Sequence, residues 1–503
     1  MNFSLQDKIR ITLKLDEFGI NYIEGGWPGS NRKDEEYFRA VKDLSLKSAK
    51  IVAFGSTRRN NVKAADDANL NAILGSGADA ATIFGKSWDL HVKSVLNTSL
   101  ESNIEMVYDS VKYLKDHGLH VIFDAEHFYD GYTNCPSHAM DVLNAAIEAG
   151  ADAVVLCDTN GGTLPRAFEQ ITAKVVASSR VTVGVHCHND AGSGVANSLL
   201  GVMAGARHVQ GTINGIGERC GNADLCQIIP SLCLKMGVPI RGMSEERLKL
   251  LRALSLYVYE MIHMHPNPYQ PYVGRNAFAH KGGVHVDAVM KNRTAYEHID
   301  PDLVGNLRWI SVSELSGKAN ILAKAKEFGL NVDKNSPVVP ALLAKIKEME
   351  FQGYHLEGAD ATLYLLMVKE LGTYKPLFEV SQWRTISESH DGGFAAESSV
   401  KIRVGGKELY VIAEGNGPVN AQDRALMNAM SEFFPEIKNV QLVNYKVSIA
   451  DTAEGTASSV RNSIEFTDGQ SNWVTVGIST NLLEASKTAL ADGYDYYLQR
   501  RRK

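Results

Sequence analysis

Short apolar runs alternate with helical patterns along the first 236 residues of the chain. Before each run, apolar residues recur at the three- and four-residue spacing of an amphipathic helix. This alternation is typical of βα units around a parallel sheet, and so of an α/β fold. The expected strands are Asn21–Glu24, Lys50–Phe54, Asp79–Phe84, Leu119–Ala125, Ala151–Cys157, Val181–Val185 and Arg207–Ile213.

The pattern begins with a helix, since Ser4 and Asp7 have the spacing of a capping box at the start of an amphipathic stripe. Helical patterns precede all seven expected strands, and an eighth extends over 221–236. Eight helices with seven strands favour a (β/α)8 TIM barrel over a doubly wound sheet, which rarely has so many repeats. We therefore expect residues 1–236 to form a TIM barrel whose first strand is missing from this chain.

Residues 237–390 are expected to form helical linker subdomains. A helical pattern over Ser244–Ile262 is followed by a proline-punctuated segment at 265–272, which is typical of a linker. A glycine-rich segment with histidines comes next. Three amphipathic helices are then expected at Lys318–Phe328, Val339–Met349 and Ala359–Leu371.

The last part of the chain contains the same pattern twice, starting at Ser398 and at Ser458. Each copy predicts a β-hairpin followed by a helix, and the turn dipeptides Gly405-Gly406 and Asp468-Gly469 supply the positive φ of a tight hairpin. Residues 391–503 are therefore expected to form a pseudo-symmetric α+β domain. Such a domain could bind an effector or a second subunit, or act only as a stabilising appendage.

Composition narrows the class of protein. With 44% hydrophobic and 22% charged residues, the chain is typical of globular proteins. A net charge of -6 disfavours binding to nucleic acid, so small molecules are the expected partners. No run approaches the roughly 20 apolar residues that span a bilayer, and the start has no signal pattern. The six cysteines contain no CxxC pair, so we expect reduced thiols in a cytoplasmic protein with no membrane partner.

Two histidines stand at the end of the expected strand that finishes at Val185. His186 and His188 project to the same side because strand side chains alternate, and a barrel has its active site at this end of its strands. They are placed to bind one metal ion, although core histidines bonded to the backbone would give the same pattern. Cys187 points the other way. Asn222, in the next glycine-rich turn, could add an amide oxygen or could simply cap a helix.

Two further strand ends carry polar groups. Glu126 follows the strand that ends at Ala125, on the same face as Asp124, and could act as a base or hold a substrate hydroxyl. A solvated loop acid is the alternative. Thr159, with the glycine amides that follow it, could hold a carboxylate.

Four segments of the chain resemble citramalate synthases, which form a family of metal-dependent TIM-barrel acyltransferases with 2-isopropylmalate and homocitrate synthases. The segments are YIEGGWPGSN at 22–31, HCHND at 186–190, GERCGN at 217–222 and AFAHKGGVH at 277–285. The resemblance covers practically the whole chain. It includes the duplicated C-terminal pattern, which is similar to the dimerising regulatory domain of the family.

The resemblance implies a Claisen condensation of acetyl-CoA with pyruvate, which gives (R)-citramalate and free CoA on a route to isoleucine. It implies that His186, His188 and Asn222 bind a divalent metal ion, Mn, Mg or Zn, with acetyl-CoA as co-substrate. It also implies an allosteric homodimer or larger oligomer, with isoleucine as the expected effector.

The same resemblance implies roles in catalysis and substrate binding. Thr159 would hold the pyruvate carboxylate, and Glu126 is similar to the acidic residue that the family places beside the substrate. His285 and Tyr296 resemble a pair that reaches over the barrel mouth, usually from the partner subunit, and assists proton transfer. His280 is the competing histidine, and the family pattern favours His285.

One family motif does not occur in this sequence. Family members begin with a strand that ends in Asp-x-Thr-Leu-Arg-Asp-Gly, whose Arg stabilises developing oxygen charge and whose Asp binds the metal. The motif belongs to the strand that the helix count also finds missing, so we expect a truncated chain with impaired catalysis. Arg58 or Arg59 could supply a substitute cation, or face solvent or the CoA phosphates.

Two other functions compete with this one. A 2-isopropylmalate synthase would need a roomier pocket for its branched keto acid, and Phe54 and Phe84 lie where they could narrow that pocket. A catalytically silent subunit, used for assembly or effector binding, would also fit the missing motif and the intact C-terminal domain.

Overall fold

The structure is a computed structural model that describes residues 3–314, 316–390, 393–450 and 455–501. It divides into two compact units. The first contains the described residues up to Phe278 together with Ile299–Leu307. The second contains Ala279–His298 and the described residues from Arg308 onward.

A seven-stranded parallel sheet forms the centre of the first unit, and its strands follow one another in chain order. All seven expected strands are present, six with small differences at their ends and the seventh shortened to three residues, and the TIM-barrel type of fold is confirmed. The strands are β1 (Tyr22–Gly26), β2 (Lys50–Ser56), β3 (Ala80–Lys86), β4 (His120–Glu126), β5 (Ala153–Asp158), β6 (Thr182–Cys187) and β7 (His208–Gln210).

The sheet wall is open between β1 and β7. Within the described part of the chain, β1 pairs only with β2, and β7 pairs only with β6. A cavity of about 760 Å³ lies at this side of the sheet, where Tyr22 and Glu24 of β1 and His208 and Gln210 of β7 are among its lining residues. The seven-stranded count agrees with the barrel expected from the sequence.

Helices surround the sheet, and the predicted capping box is present at the first of them. The Ser4 hydroxyl accepts a hydrogen bond from the Asp7 amide at 3.1 Å, and the Asp7 carboxylate accepts one from the Ser4 amide at 3.0 Å. The helices are α1 (Leu5–Phe18), α2 (Arg32–Val41), α3 (Ala68–Ser76), α4 (Asp89–Ser94), α5 (Leu100–Asp116), α6 (Phe128–Asn134), α7 (Pro136–Glu148), α8 (Pro165–Ser178), α9 (Gly194–Met203), α10 (Leu225–Pro230), α11 (Glu245–Leu248) and α12 (Leu251–Met261).

The helix expected over Ser244–Ile262 is divided into α11 and α12, which differs from the sequence prediction. Gly305 packs against the chain at the break. A Cβ on Gly305 would lie 2.0 Å from the carbonyl oxygen of Lys249, and its φ of +68° also favours glycine. The close approach of this backbone segment explains why the residue at 305 has no side chain.

The two faces of the sheet have different surroundings. Ile83, Phe123 and Val185 belong to the main core of the unit. The residues at the alternate positions of the same strands face the other way, and those of β4 and β5, such as Ile122 and Val155, form a separate small cluster. The candidate polar side chains stand at the ends of these strands, at positions that continue the inward-facing alternation. They therefore point into the carboxyl-terminal mouth of the barrel.

The second unit begins with a two-residue parallel pairing of β8 (Ala279–His280) with β9 (Trp309–Ile310). Four helices follow in this part of the unit, and they include the three that the sequence predicts. They are α13 (Gly283–Lys291), α14 (Lys318–Glu327), α15 (Val338–Phe351) and α16 (Asp360–Glu370).

Two copies of a three-stranded antiparallel sheet with a following helix complete the second unit. The expected hairpins and helices are present, and each copy has one additional strand before its hairpin. The first copy is β10 (Glu379–His390), β11 (Gly393–Val404), β12 (Lys407–Gly415) and α17 (Pro418–Ser431). The second is β13 (Gln441–Ile449), β14 (Val460–Thr467), β15 (Asn472–Ser479) and α18 (Leu482–Arg501).

The additional strand bears on the expected domain boundary. β10 pairs with β11 along most of its length, so the first sheet already begins at Glu379, before the boundary expected at residue 391. Residues 391 and 392 themselves lie outside the described residues. The division at 236 and 390 stays a prediction.

Two expectations from composition concern the whole described chain. Its helices include none that combines the length and apolar character required to cross a membrane. All six cysteines are free thiols, as their spacing indicated.

Candidate active site

The two histidines of the HCHND segment lie side by side at the end of β6, in the first unit. The ring centroids of His186 and His188 are 5.2 Å apart, with 55° between the ring planes. Cys187, between them in the chain, is 1% exposed and packs in the main core. The structure therefore brings the two predicted metal ligands together on the inner face of the sheet.

His186 is held in one orientation by Gln210 of β7. Its Nδ1 lies 2.8 Å from the Gln210 Oε1, and the Gln210 Nε2 donates to the Asp124 Oδ1 at 2.9 Å. Because an amide oxygen can only accept, Nδ1 of His186 donates and Nε2 keeps its lone pair. Burial, with the neighbouring His188, lowers the pKa of His186 from 6.5 to about 4, so the ring is neutral near pH 7.

Asp124 and Glu126 share a face of β4, as expected, but they have different surroundings. Asp124 is 5% exposed and accepts its hydrogen bond from Gln210. Burial, and the nearby Glu24 carboxylate, raise the pKa of Asp124 well above its usual range. Sequence reasoning missed Gln210, because a glutamine in an apolar run gives no sign of its partners.

Asn222 lies beside His188, to which its backbone is bridged. The Asn222 Oδ1 and the His188 Nδ1 are both buried, and neither has a hydrogen-bond partner in the described part of the chain. Buried polar atoms are normally paired. Two buried polar atoms without a partner, next to a neutral imidazole, therefore fit ligands of a cation when the His188 ring carries its proton on Nε2, and two nitrogens with an amide oxygen suit Mn, Zn or Mg.

The three candidate ligands, His186, His188 and Asn222, do not by themselves form a complete metal site. Among the residues that the structure describes, no group of three or more His, Cys, Asp or Glu side chains is placed to hold a metal ion. His186, His188 and Asn222 thus offer two imidazoles and one amide, and their role as metal ligands stays a prediction.

Arg219 links three of the loops at the strand ends. Its Nε and Nη2 donate to the two carboxylate oxygens of Asp190, each at 2.8 Å, and Nη2 also donates to the Thr159 carbonyl at 2.7 Å. The loops that follow β5, β6 and β7 are therefore held together by one guanidinium. Sequence reasoning missed this link, since the partners are 29 and 60 residues away from Arg219.

Thr159 is oriented by a second contact. Its hydroxyl oxygen accepts a hydrogen bond from the His127 amide at 2.9 Å, which leaves its own O–H free to donate. A donor hydroxyl at the barrel mouth suits an anionic group of a ligand, as the sequence predicts.

Since Thr159 is expected from the sequence to hold the carboxylate of a keto acid, replacing Arg219 with alanine should raise the KM for that acid about tenfold, because the loop of Thr159 loses the contact that fixes it. A tenfold change corresponds to a free energy of ~1.4 kcal/mol. This is more than an exposed ion pair usually contributes and no more than a hydrogen bond to a charged group contributes. Steady-state kinetics measure the change. The control is R180A, at an exposed arginine before β6. A KM equal in R219A and R180A would contradict the link.

Glu126 is the last residue of β4, and it forms an ion pair with Lys86, the last residue of β3. The two side chains are 21% and 17% exposed. Glu126 is therefore not the solvated loop acid of the alternative interpretation. Lys86 was missed by sequence reasoning, because only the register of β3 with β4 brings the two residues together.

An aromatic cluster lies at the ends of the first three strands. Phe54 and Phe84 stack with 5.6 Å between their centroids, and Trp27 packs edge-on against them at 6.0 and 5.8 Å. The sequence suggested that the two phenylalanines narrow a pocket, and the structure adds Trp27 to them.

Arg58 follows the end of β2, but its guanidinium already has partners. It is buried, and its guanidinium pairs with Asp109 of α5 at 2.8 Å and donates to the Val62 carbonyl at 3.2 Å. The idea that Arg58 supplies a substitute cation is wrong, because its donors are already used.

His285 and Tyr296 belong to the second unit. Their rings stack with 4.2 Å between centroids and 25° between planes, so the predicted pair is formed. His280 instead bonds Glu297 at 3.1 Å, and Glu297 also pairs with Arg308, which supports the choice of His285. The catalytic role of the pair stays a prediction.

Known protein families match most of the chain. Residues 1–242 match the HMGL-like family, residues 272–353 the homocitrate synthase post-HMGL domain-like family, and residues 357–498 the LeuA allosteric (dimerisation) domain. Among solved structures, HMG-CoA lyase from Bacillus subtilis covers 55% of this chain and 91% of its own, with 18% identity and a TM-score of 0.45.

Full-length relatives are more similar. The chain is 51% identical to (R)-citramalate synthase from Sulfolobus acidocaldarius and 50% identical to that from Aquifex aeolicus, over 99% of this chain and 94% and 95% of the relatives. It is 30% identical to 2-isopropylmalate synthase from Methanocaldococcus jannaschii, over 99% of this chain and 92% of that protein. This coverage gives no support to the expected impairment of catalysis.

Proposed function

The chain belongs to the citramalate synthase family, and we propose that it condenses acetyl-CoA with pyruvate to give (R)-citramalate and free CoA. One observation carries the proposal: identity is 51% to a named (R)-citramalate synthase against 30% to a named 2-isopropylmalate synthase. The cytoplasm is the proposed location, in agreement with the six free cysteines.

The residues at the strand ends suit the binding of the two substrates. The free O–H of Thr159 would donate to the carboxylate of pyruvate, and the aromatic cluster of Trp27, Phe54 and Phe84 would close the space beside its methyl group. A small pocket of this kind would disfavour a keto acid with a branched side chain.

Proton removal is the difficult step, because the methyl group of a thioester is a weak acid. We assign this step to Glu126, whose carboxylate would take a methyl proton as the new carbon–carbon bond forms. By the resemblance to the family, His285 and Tyr296 would reach over the barrel mouth of the partner subunit and assist proton transfer to the product oxygen there. Water then cleaves the thioester, with one proton passing to the CoA sulfur, so that citramalate and CoA are released.

Members of this family are typically dependent on a divalent metal ion. His186, His188 and Asn222 would hold it, and the buried, unpaired His188 Nδ1 and Asn222 Oδ1 support the assignment. When bound, such an ion would polarise the keto group of pyruvate.

The assay that tests the function follows CoA release with pyruvate and, separately, with 2-oxoisovalerate. We expect kcat/KM at least about 100-fold higher with pyruvate, since each excluded methyl contributes roughly tenfold or more. Mass spectrometry of the product identifies citramalate. Equal or better turnover of 2-oxoisovalerate would favour a 2-isopropylmalate synthase, and no CoA release with either acid would favour the silent subunit.

We also propose that the second unit forms the homodimer and binds isoleucine, in agreement with its match to an allosteric dimerisation domain. A cavity of about 600 Å³ lies between α17 and β13. Asp423 and Arg424 offer opposite charges for an amino acid, and Val419, Met427 and Leu442 offer an apolar wall. Such a lining suits a zwitterion with a branched aliphatic side chain.

Isoleucine is expected to lower the rate of CoA release and to raise the melting temperature, because a ligand that binds the folded state stabilises it. In D423N both effects should weaken about tenfold, since the site loses the partner of the ammonium group. The control is E432Q, at an exposed acid beyond the end of α17. If isoleucine changed neither rate nor melting temperature in the unsubstituted protein, this regulatory role would be rejected.

A further inference from the structure

The ion pair of Lys86 and Glu126 stands at the ends of two neighbouring strands. Lys86 and Glu126 are partners in the parallel register of β3 with β4, so both side chains leave the sheet at the same height. Each is less than a quarter exposed. The ammonium group also lies 5.6 Å from the ring centroid of Phe84, which belongs to the aromatic cluster beside the proposed substrate pocket.

The backbone on both sides of this pair is fixed. The buried Ser87 donates to the Glu126 carbonyl from its amide at 3.2 Å and from its hydroxyl at 2.6 Å. The buried Asn103 donates to the Lys86 carbonyl at 2.8 Å. Two strand ends held in this way keep the lysine and the glutamate in place before any substrate binds, which is the preorganisation that electrostatic catalysis needs.

Other cations near the strand ends have different partners. Arg58 is bound to Asp109 and Arg219 to Asp190, so both are neutralised by carboxylates with no proposed part in the reaction. The carboxylate that neutralises Lys86 is the proposed base itself. Proton transfer to that base therefore changes the charge that Lys86 experiences.

The charges can be followed through the first step. A C–H bond of the thioester methyl breaks, its proton goes to a carboxylate oxygen of Glu126, and its electron pair becomes the enolate. Glu126 is then neutral, and the negative charge has moved to the thioester oxygen. The ammonium group of Lys86 thus loses the Glu126 carboxylate as its partner while the anionic enolate oxygen forms close by. In a site shielded from water, the attraction of the ammonium for this new charge is strong.

We propose that Lys86 is a catalytic residue whose ammonium group stabilises the thioester enolate as Glu126 accepts the methyl proton. This inference rests on the proposed function, because it takes Glu126 as the base of that reaction. It gives the barrel mouth a cation that the sequence motifs do not reveal.

The test compares K86M, K86R, E126Q and K86M/E126Q in the metal-loaded 503-residue chain. We expect K86M to lower kcat at least about 100-fold with the KM for pyruvate within threefold of the unsubstituted value, and K86R to regain at least tenfold. Because the two residues act in one step, the double variant should be no more than about threefold slower than E126Q. The control is K93M, at an exposed lysine paired with Asp89 on α4.

A second readout separates a chemical role from a structural one. With methyl-deuterated acetyl-CoA, the isotope effect on kcat should be larger in K86R than in the unsubstituted protein, because proton removal becomes slower relative to other steps. Retention of more than a third of kcat by K86M would overturn the proposal. So would K86R no more active than K86M, or an isotope effect unchanged in K86R.

The proposed substrate can be wrong while the proposed role of Lys86 is right. If the unsubstituted protein condenses acetyl-CoA with a keto acid other than pyruvate, the choice of substrate is wrong, and the same variants are then measured with that acid. Proton removal from acetyl-CoA is common to both reactions, so the Lys86 comparison keeps its meaning.

Discussion

Replacing His188 with alanine is expected to remove the metal ion and to lower kcat by about 1000-fold or more. The His188 Nδ1 is a buried ring nitrogen without a hydrogen-bond partner among the described residues, and its ring lies beside the neutral ring of His186. Without it, the site keeps one imidazole and one amide, which is too few ligands to hold a divalent ion firmly. Polarisation of a carbonyl by a metal contributes several kcal/mol, and ~1.4 kcal/mol corresponds to each factor of ten in rate.

Elemental analysis after dialysis against Mn²⁺ or Zn²⁺ measures the metal, and CoA release measures the rate. The matched control is C187A, because Cys187 is the last residue of β6 and the neighbour of His188 but packs in the core. It should keep its metal and most of its rate, with a lower melting temperature. An H188A protein with a full complement of metal would refute the assignment of His188 as a ligand.

Replacing Glu126 with glutamine is expected to lower kcat by about 1000-fold with little change in the KM for pyruvate. Glutamine keeps the shape of the side chain and can still accept a hydrogen bond from Lys86, but it cannot take a proton. A positioned general base contributes typically 10²–10⁴-fold to a rate. The main effect should therefore fall on the chemical step and leave substrate binding intact.

Steady-state kinetics separate these two quantities, and E148Q provides the control, since Glu148 is an exposed acid at the end of α7. Circular dichroism and the melting temperature establish that both variants are folded. If E126Q kept a tenth or more of the rate, the base would have to be sought elsewhere in the molecule.

Much of the barrel could be predicted from the sequence, because a parallel strand enclosed by helices is a continuous apolar run. The end of β7 is an exception. The strand was expected to reach Ile213 but stops at Gln210, since the next residues pair with another segment: the Thr212 amide donates to the Ala223 carbonyl at 3.1 Å. Such a change of partner leaves no mark on local hydrophobicity.

The strands β10 and β13 could not be predicted in the same way. Each contains a bulge where it pairs with its neighbour, between Val380 and Gln382 in β10 and between Leu442 and Asn444 in β13. A bulge shifts the alternation of inward and outward residues by one position. The period of two is lost, and with it the main sign of a half-buried strand.

The candidate site likewise has features that the sequence predicts and features that it does not. Alternation within one strand was enough to place His186 and His188 on one face, as the structure has them. The ion pair of Lys86 with Glu126 depends on the register of two neighbouring strands, and the link from Arg219 to Asp190 depends on two loops that meet. Periodicity identifies the elements, but contacts between elements are set by tertiary packing.

Gln210 determines how Asp124 and His186 influence each other, because it lies between them. Its neutral side-chain amide hydrogen-bonds both residues and fixes the orientation of the His186 ring, but it cannot carry a proton from one to the other. A carboxylate in direct contact would make the imidazole more basic, and protons would then compete with a cation for its free nitrogen. The amide thus selects one tautomer of the His186 ring and keeps the Asp124 carboxylate out of direct contact with it, so the ring stays unprotonated. A glutamate at position 210 would bring a carboxylate into contact with the ring.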